Sequence, residues 1–367
     1  MAKSLSSREG GSKLILPKFS TWVDDRYDIA AVKKLAANKL VPRHRYGLLY
    51  YTGGVALFLF IAQFVTGMLL AFYYVPHVDY AHKSIVDIVT KLHMGWFFRS
   101  VHHWGAQLCI VFVFIHLFGT VLVKAYRKPR EMLWVTGFVL LVWSFFFGLS
   151  GYLMVWDERA FSAVRVATGG AGALPIIGTS IKLFMRGGWE VTGDTLLRFY
   201  AFHVAVLPLT AFILIGIHLC LALYHGLSIP LSQQERAVAE EPFFPNIFYK
   251  DLMIWLVVLG VVVTLAVVFP PEIGVQADPL APAPEGIKPE WFFLFLLQTL
   301  KLFPGTILGF NGETIAMVGG SIAILFFFLI PFFDRKSSRG ERSPLFTVIG
   351  VVYLVYFISM TLFGYLS

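Results

Sequence analysis

The stretch Arg99-Ser-Val-His-His-Trp-Gly-Ala-Gln-Leu-Cys-Ile-Val-Phe-Val-Phe-Ile-His116 decides the fold. It is apolar enough to lie in a membrane, yet it carries histidines at both ends. His102 and His116 are 14 residues apart, and a second apolar stretch holds His203 and His218, 15 apart. An α-helix turns about 100° per residue, so these steps return to nearly the same face, off by about 40° and 60°. They separate the two imidazoles along each axis by about 21 and 22 Å. Two such helices side by side offer two His/His pairs stacked across most of a ~30 Å hydrocarbon core. That geometry suits two bis-histidine haems, one near each membrane surface. His103 lies about 140° around the helix from His116, so His102 is the ligand the common face selects.

Composition sets the class. The 367 residues are 57% hydrophobic and 14% charged, with 36 phenylalanines, which predicts a polytopic membrane protein. The first 46 residues are polar and basic and show no cleavable leader pattern, which places the N-terminus on the inner side. The net charge of +8 is distributed between apolar spans, as orientation determinants are, and argues against a nucleic-acid partner. Cys109 and Cys220 both fall inside apolar spans and form no CxxC or CxxCH motif, so neither thiolate iron–sulfur ligation nor covalent haem attachment of that type is expected.

Working outward, seven spans are read at about 47–75, 101–123, 132–156, 199–224, 252–271, 314–333 and 345–366. The expected fold is all-α, with seven transmembrane helices, the first four bundled around two haems. Residues 22–40 read as an interfacial helix within a cytoplasmic arm of residues 1–46. Residues 47–228 form the four-helix module, 229–250 an inner-side linker, and 251–367 a three-helix module. Trp291 to Leu300 is too short to cross and is flanked by Pro289 and Pro304, so it is read as a helix in or dipping into the interface. With the N-terminus inside, inner segments hold 20 Lys/Arg and outer segments 10, which favours this orientation and puts the C-terminus outside. His102 and His203 then lie on the outer side, His116 and His218 on the inner side.

A second line comes from glycine. Gly53 and Gly67 are 14 apart, as are Gly137 and Gly151. A residue without a side chain lets a flat macrocycle approach the backbone, and the interval matches the vertical separation of the two proposed haems. Packing between helices is the alternative use of such glycines, and Gly105 and Gly119 are assigned to it. Haem propionates need cations near the surfaces. Arg99 and Arg198 precede His102 and His203 on the outer side, and Arg130, beside Arg127 and Lys128, lies at the inner side.

Several motifs together carry a family resemblance: Arg99-Ser-Val-His102, Lys128-Pro-Arg-Glu131 running into Trp134-Val-Thr-Gly137, Gly151-Tyr152 with Trp156-Asp157, Arg198-Phe-Tyr-Ala-Phe-His203, and Pro289-Glu290-Trp291-Phe292. The chain resembles cytochrome b, the central subunit of the cytochrome bc complexes, from about residue 22 onward. Its first half resembles the four-helix haem subunit of the photosynthetic-type complexes, its second half their separate three-helix subunit. The resemblance implies a quinol:cytochrome c (or plastocyanin) oxidoreductase working by a Q cycle in a bacterial cytoplasmic membrane or an equivalent energy-transducing membrane. It also implies two non-covalent haems b, a quinol/quinone substrate, a Rieske iron–sulfur protein, a c-type cytochrome, membrane lipids and a homodimeric complex. It implies an outer quinol site of Tyr152, Phe161, Ala163, Pro289, Glu290, Trp291 and Phe292, with Glu290 accepting a quinol proton. A carboxylate beside Trp291 and Phe292 should have a raised pKa, which suits that task. Lys250 and Asp251 match the family's inner quinone site.

Two positions depart from the family. Its respiratory inner-site histidine falls on Leu223 here, leaving His225 as a substitute candidate; and Tyr51 stands about where photosynthetic-type members attach an extra haem through cysteine, so no covalent haem is expected. A proton-coupled transporter with buried histidines, and a haem-bearing anchor of another quinone-linked dehydrogenase, are the competing classes.

Overall fold

The computed structural model describes Thr21 and residues 39–43, 46–231, 239–282 and 286–367. The expected interfacial helix lies outside the described residues except at its end, where Leu40 is in a strand. In lipid every backbone N–H and C=O must be satisfied within the chain, so long apolar segments close into helices. Among the described residues six are long and apolar enough to cross: α1 (Leu48–Ala71), α3 (Gly95–Leu122), α4 (Glu131–Leu153), α7 (Gly193–His225), α8 (Phe243–Val268) and α13 (Pro344–Leu366). Leu209, Ile213, Val257 and Val352 face outward from them, as lipid-facing side chains do. Between them lie α2 (Ala81–Lys91), α5 (Glu158–Gly172), α6 (Gly178–Arg186) and the short apolar α9 (Trp291–Lys301).

The sixth expected span, 314–333, is shorter than anticipated. Helix α10 covers Gly312–Phe328, stops at Leu329, and resumes as the single turn α11 (Ile330–Phe333), followed by α12 (Arg335–Ser338). Pro331 explains the break, since it has no N–H to continue the ladder and its ring crowds the preceding turn.

α1 packs along α3, and α4 along α7. The three-helix module joins them through an aromatic-rich core. Phe114 and Phe118 of α3 and Phe138 of α4 meet Phe292 and Phe327, with Phe114 stacked on Phe357 of α13 at 4.2 Å. Trp291–Lys301 packs against α13 and buries Phe292 and Leu294, so it is a packed element of the module. β1 (Leu40–Pro42) pairs antiparallel with β2 (Glu240–Pro242), stapling the linker to the segment that enters α1. Glu158 and Ala277 donate their backbone N–H groups to carbonyls of Val275 and Trp156, fastening the end of α4 to the segment after α8.

Helix α7 has one irregularity. Phe202–Val206 form a π-turn, closed by the Leu207 N–H on the Phe202 carbonyl. Pro208 follows at once. Proline cannot donate to the carbonyl four residues back, and its ring pushes that carbonyl away, so the turn widens to take in one extra residue.

Candidate functional site

The two histidine helices face each other. His102 of α3 and His203 of α7 have ring centroids 6.4 Å apart, with planes at 73°. His116 and His218 repeat this arrangement at 6.4 Å and 77°. The near-identity of the pairs follows from the π-turn. It absorbs one residue, so the 15-residue interval in α7 acts as the 14-residue interval of α3, and both helices present their imidazoles in the same phase. His103 is turned elsewhere, its ring against Trp104 at 5.4 Å.

Gly53, Gly67, Gly137 and Gly151 each lie against one of these rings. A Cβ on Gly53 would sit 3.0 Å from His116 Cε1, on Gly67 3.0 Å from His102, on Gly137 3.0 Å from His218, and on Gly151 2.7 Å from His203. The space the missing side chain leaves is filled in this structure by the imidazole itself. Gly119 does pack as expected, against Leu49.

The residue before each glycine bears a hydroxyl, which the sequence reading missed. Thr52 lies 3.1 Å from His116 Nδ1, and Thr66, Thr136 and Ser150 each lie 2.9 Å from Nδ1 of His102, His218 and His203. The signal was present as four Thr-Gly or Ser-Gly dipeptides at matched intervals.

The imidazoles can hold a metal between them. A metal–nitrogen bond of about 2.0 Å, plus about 1.15 Å from nitrogen to ring centre, on both sides, requires centroids about 6.3 Å apart. The observed 6.4 Å fits twice. Among the described residues no group of three or more His, Cys, Asp or Glu could hold a metal ion, so a metal bound between either imidazole pair would have two protein ligands. A cavity beside the inner pair is lined by Tyr46, Tyr50, His116, Arg130, Gly137 and His218 among others. Arg130 donates to the carbonyls of His225, Gly226 and Leu227 while lining that cavity. Near the His102/His203 end of these helices Arg99 donates to the carbonyls of Pro271 and Glu272, and Arg198 to that of Phe184.

Pro289–Phe292 enters the fold beside α3 and α4. Glu290 Oε2 accepts from Gln107 Nε2 at 2.8 Å, and the Trp291 indole donates to Gln107 Oε1 at 2.7 Å. Burial lifts the Glu290 carboxyl above the usual range, and the Gln107 hydrogen bond offsets part of that rise. Gln107 was not singled out from sequence, since a lone glutamine in a span gives no partner. Phe292 presses its ring edge against Gly148 of α4, and Tyr152 lies in the last turn of that helix. Phe161 is buried against Trp156 and Ala163 is buried too, both on α5.

The inner candidates are dispersed. Lys250 Nζ pairs with Glu241 at 2.8 Å, and His225 packs on Tyr224. Asp251 Oδ1 and Trp255 Nε1 face Gly54 and are buried without a hydrogen-bond partner among the described residues.

Sequence comparison adds to this geometry. The family described as Cytochrome b/b6/petB matches residues 37–226, and Cytochrome b(C-terminal)/b6/petD matches residues 276–367. The chain belongs to the cytochrome b/b6 family. It is 40% identical over 343 residues to a cytochrome bc complex cytochrome b subunit from Chlorobaculum thiosulfatiphilum, covering 93% of this chain and 79% of that one. Cytochrome b6 of Acaryochloris marina (strain MBIC 11017) is 38% identical over 216 residues, 59% of this chain and all of the relative. A solved hyperthermophilic respiratory Complex III matches with a TM-score of 0.83 at 28% identity, covering 94% of this chain and 90% of that one. Membership makes the chain an electron-transfer subunit of a quinol oxidoreductase complex, an integral membrane protein of a b-type haem family, with both family halves on one chain.

Proposed function

We propose that the chain crosses the membrane seven times, holds two non-covalent haems b in its first four spans, and carries out the membrane half of a Q cycle. His102 and His203 hold the outer haem, His116 and His218 the inner one. The single observation that carries this is the twice-repeated 6.4 Å imidazole pair. When bound, the haems supply two one-electron relay positions at different depths. Arg130 offers its charge to the inner propionates, and Arg99 and Arg198, which keep N–H donors beyond those bonded to carbonyls, serve the outer ones.

Quinol binds at the outer side among Tyr152, Phe161, Ala163 and Pro289–Phe292. Glu290 accepts a quinol proton through the carboxylate oxygen that Gln107 does not occupy. Its raised proton affinity suits a base that must take a proton and later release it. Aromatic neighbours exclude water from the headgroup. One electron leaves to a Rieske iron–sulfur protein and a c-type cytochrome, and the other crosses inward. A charge moved fully across costs about 2.3 kcal/mol per 100 mV, which is why two separated relay positions are useful. At the inner side Asp251, with its unpartnered oxygen, is the strongest quinone-binding candidate, with Lys250 and His225 flanking. The 20:10 distribution of cations supports an inner N-terminus and outer C-terminus. The complex works as a homodimer in an energy-transducing membrane.

Reduced-minus-oxidised spectra of the purified chain test the reading, with two b-type haems expected. His116→Ala or His218→Ala removes the inner haem and spares the outer in a redox titration. Two full haem signals in both variants would overturn the ligand pairing, and a haem-free preparation active in transport would overturn the function.

A further inference from the structure

We propose that Thr52, Thr66, Thr136 and Ser150 are positioning residues: each fixes the tautomer of one ligand histidine and sets the electron density that histidine offers to its iron. The inference rests on the bis-histidine reading above and goes beyond it.

The argument begins with the hydroxyl protons. Thr52 Oγ1 donates to the Leu49 carbonyl at 2.7 Å, Thr66 to Ala62 at 2.7 Å, Thr136 to Met132 at 3.0 Å, and Ser150 Oγ to Phe146 at 2.6 Å. Such back-bonding to the preceding turn is common for hydroxyls in helices, and by itself it is only local satisfaction. It does settle the direction of the next bond. With its proton on a backbone carbonyl, each oxygen has only lone pairs left to offer the imidazole. The Nδ1 atom 2.9–3.1 Å away must then be the donor. Nδ1 carries the hydrogen, and Nε2 keeps its lone pair for a metal. Four sites on two helices obey the same rule.

The following glycine completes the device. Its absent Cβ, which would stand 2.7–3.0 Å from Cε1, lets the ring settle deeply enough for Nδ1 to reach the hydroxyl. Hydroxyl and glycine are therefore one unit, supplied by α1 to the histidines of α3 and by α4 to those of α7. A metal-bound histidine whose other N–H is held by an acceptor is fixed in orientation and made a stronger electron donor. A stronger donor favours the oxidised metal. Removing the acceptor should raise the midpoint potential of the haem concerned.

The test uses the purified holoprotein with both haems bound. Thr66→Val keeps the shape and removes the acceptor, and Thr66→Ser restores it. Equilibrium redox titration and the EPR g-values of the oxidised haems are the readouts. Thr66→Val should shift one midpoint to more positive values and alter one ferric signal, Thr66→Ser should return both, and Thr52→Val should move the other haem only. Ser150→Ala, a smaller change, should move the same haem as Thr66→Val and serves if a valine variant fails to assemble. Unchanged potentials and g-values with two haems retained would overturn the proposal while leaving the bis-histidine reading intact. A wild-type protein without two haems would overturn both.

Discussion

Gln107 of α3 hydrogen-bonds Glu290 and Trp291 at once, at 2.8 and 2.7 Å, joining the middle of a histidine helix to a segment about 180 residues later. The amide donates to the carboxylate, so it stabilises the ionised form. Glu290 is held above the ordinary carboxylate range by burial, and Gln107 keeps it from rising further. Gln107→Leu should therefore push its proton affinity higher still. Because the proposed base must be ionised to accept a proton, the acid limb of quinol oxidation should move to higher pH in Gln107→Leu, with the rate at mildly acidic pH down several-fold. Glu290→Gln removes the base and should cost about 10²-fold at all pH values. An unshifted pH–rate profile in Gln107→Leu would show that the hydrogen bond has no part in tuning the carboxyl.

Gly151→Ala is the most disruptive of the four glycine substitutions. The added carbon would stand 2.7 Å from His203 Cε1, against 3.0 Å for Gly53, Gly67 and Gly137. An intruding methyl in a packed site costs about 1–3 kcal/mol, and here the ring that must give way is a proposed ligand. Gly151→Ala should lower outer-haem occupancy while leaving the inner haem, measured as haem per chain with a redox titration. Gly137→Ala should show the milder version at the inner haem.

Asp334 ties the two halves together through Tyr126 and Lys124. It is fully buried, accepts from Tyr126 Oη at 2.7 Å and pairs with Lys124 Nζ at 3.6 Å. Burial alone would raise its pKa, but hydrogen bonds from Ser343, Tyr126 and Ser337 outweigh that and hold it below the usual value. A carboxyl with a depressed folded-state pKa contributes stability that is present above its unfolded pKa of about 3.9 and is lost as pH falls through the folded value. Asp334→Ala strands a buried ammonium and should cost about 3–5 kcal/mol at neutral pH. Thermal unfolding in detergent across pH should show the wild-type advantage narrowing in strong acid; a constant gap at every pH would refute the assignment.

The π-turn makes a prediction about length. Deleting Ala205 takes one residue from the turn, leaves a 14-residue interval like that in α3, and should retain both haems once the helix closes regularly. Deleting Gly216 shortens regular helix and leaves the turn, so His203 and His218 fall out of phase by about 100° and one haem should be lost. Haem content of the two purified variants separates these outcomes.

Much of this was legible in the chain itself. Hydropathy determined the helices, because backbone groups in lipid have no alternative partner, and the intervals between His102 and His116 and between His203 and His218 determined that two imidazoles share a face, because helical phase is local arithmetic. The break at Leu329 was harder to see, since Pro331 interrupts a helix without making its sequence polar. Tertiary structure decided the rest. It chose which glycine and hydroxyl met which imidazole, brought Gln107 to Glu290, and placed an extra residue in α7 so that unequal intervals gave equal pairs. Those outcomes depend on how separate helices pack, and periodicity along one helix carries no information about the partner it will find.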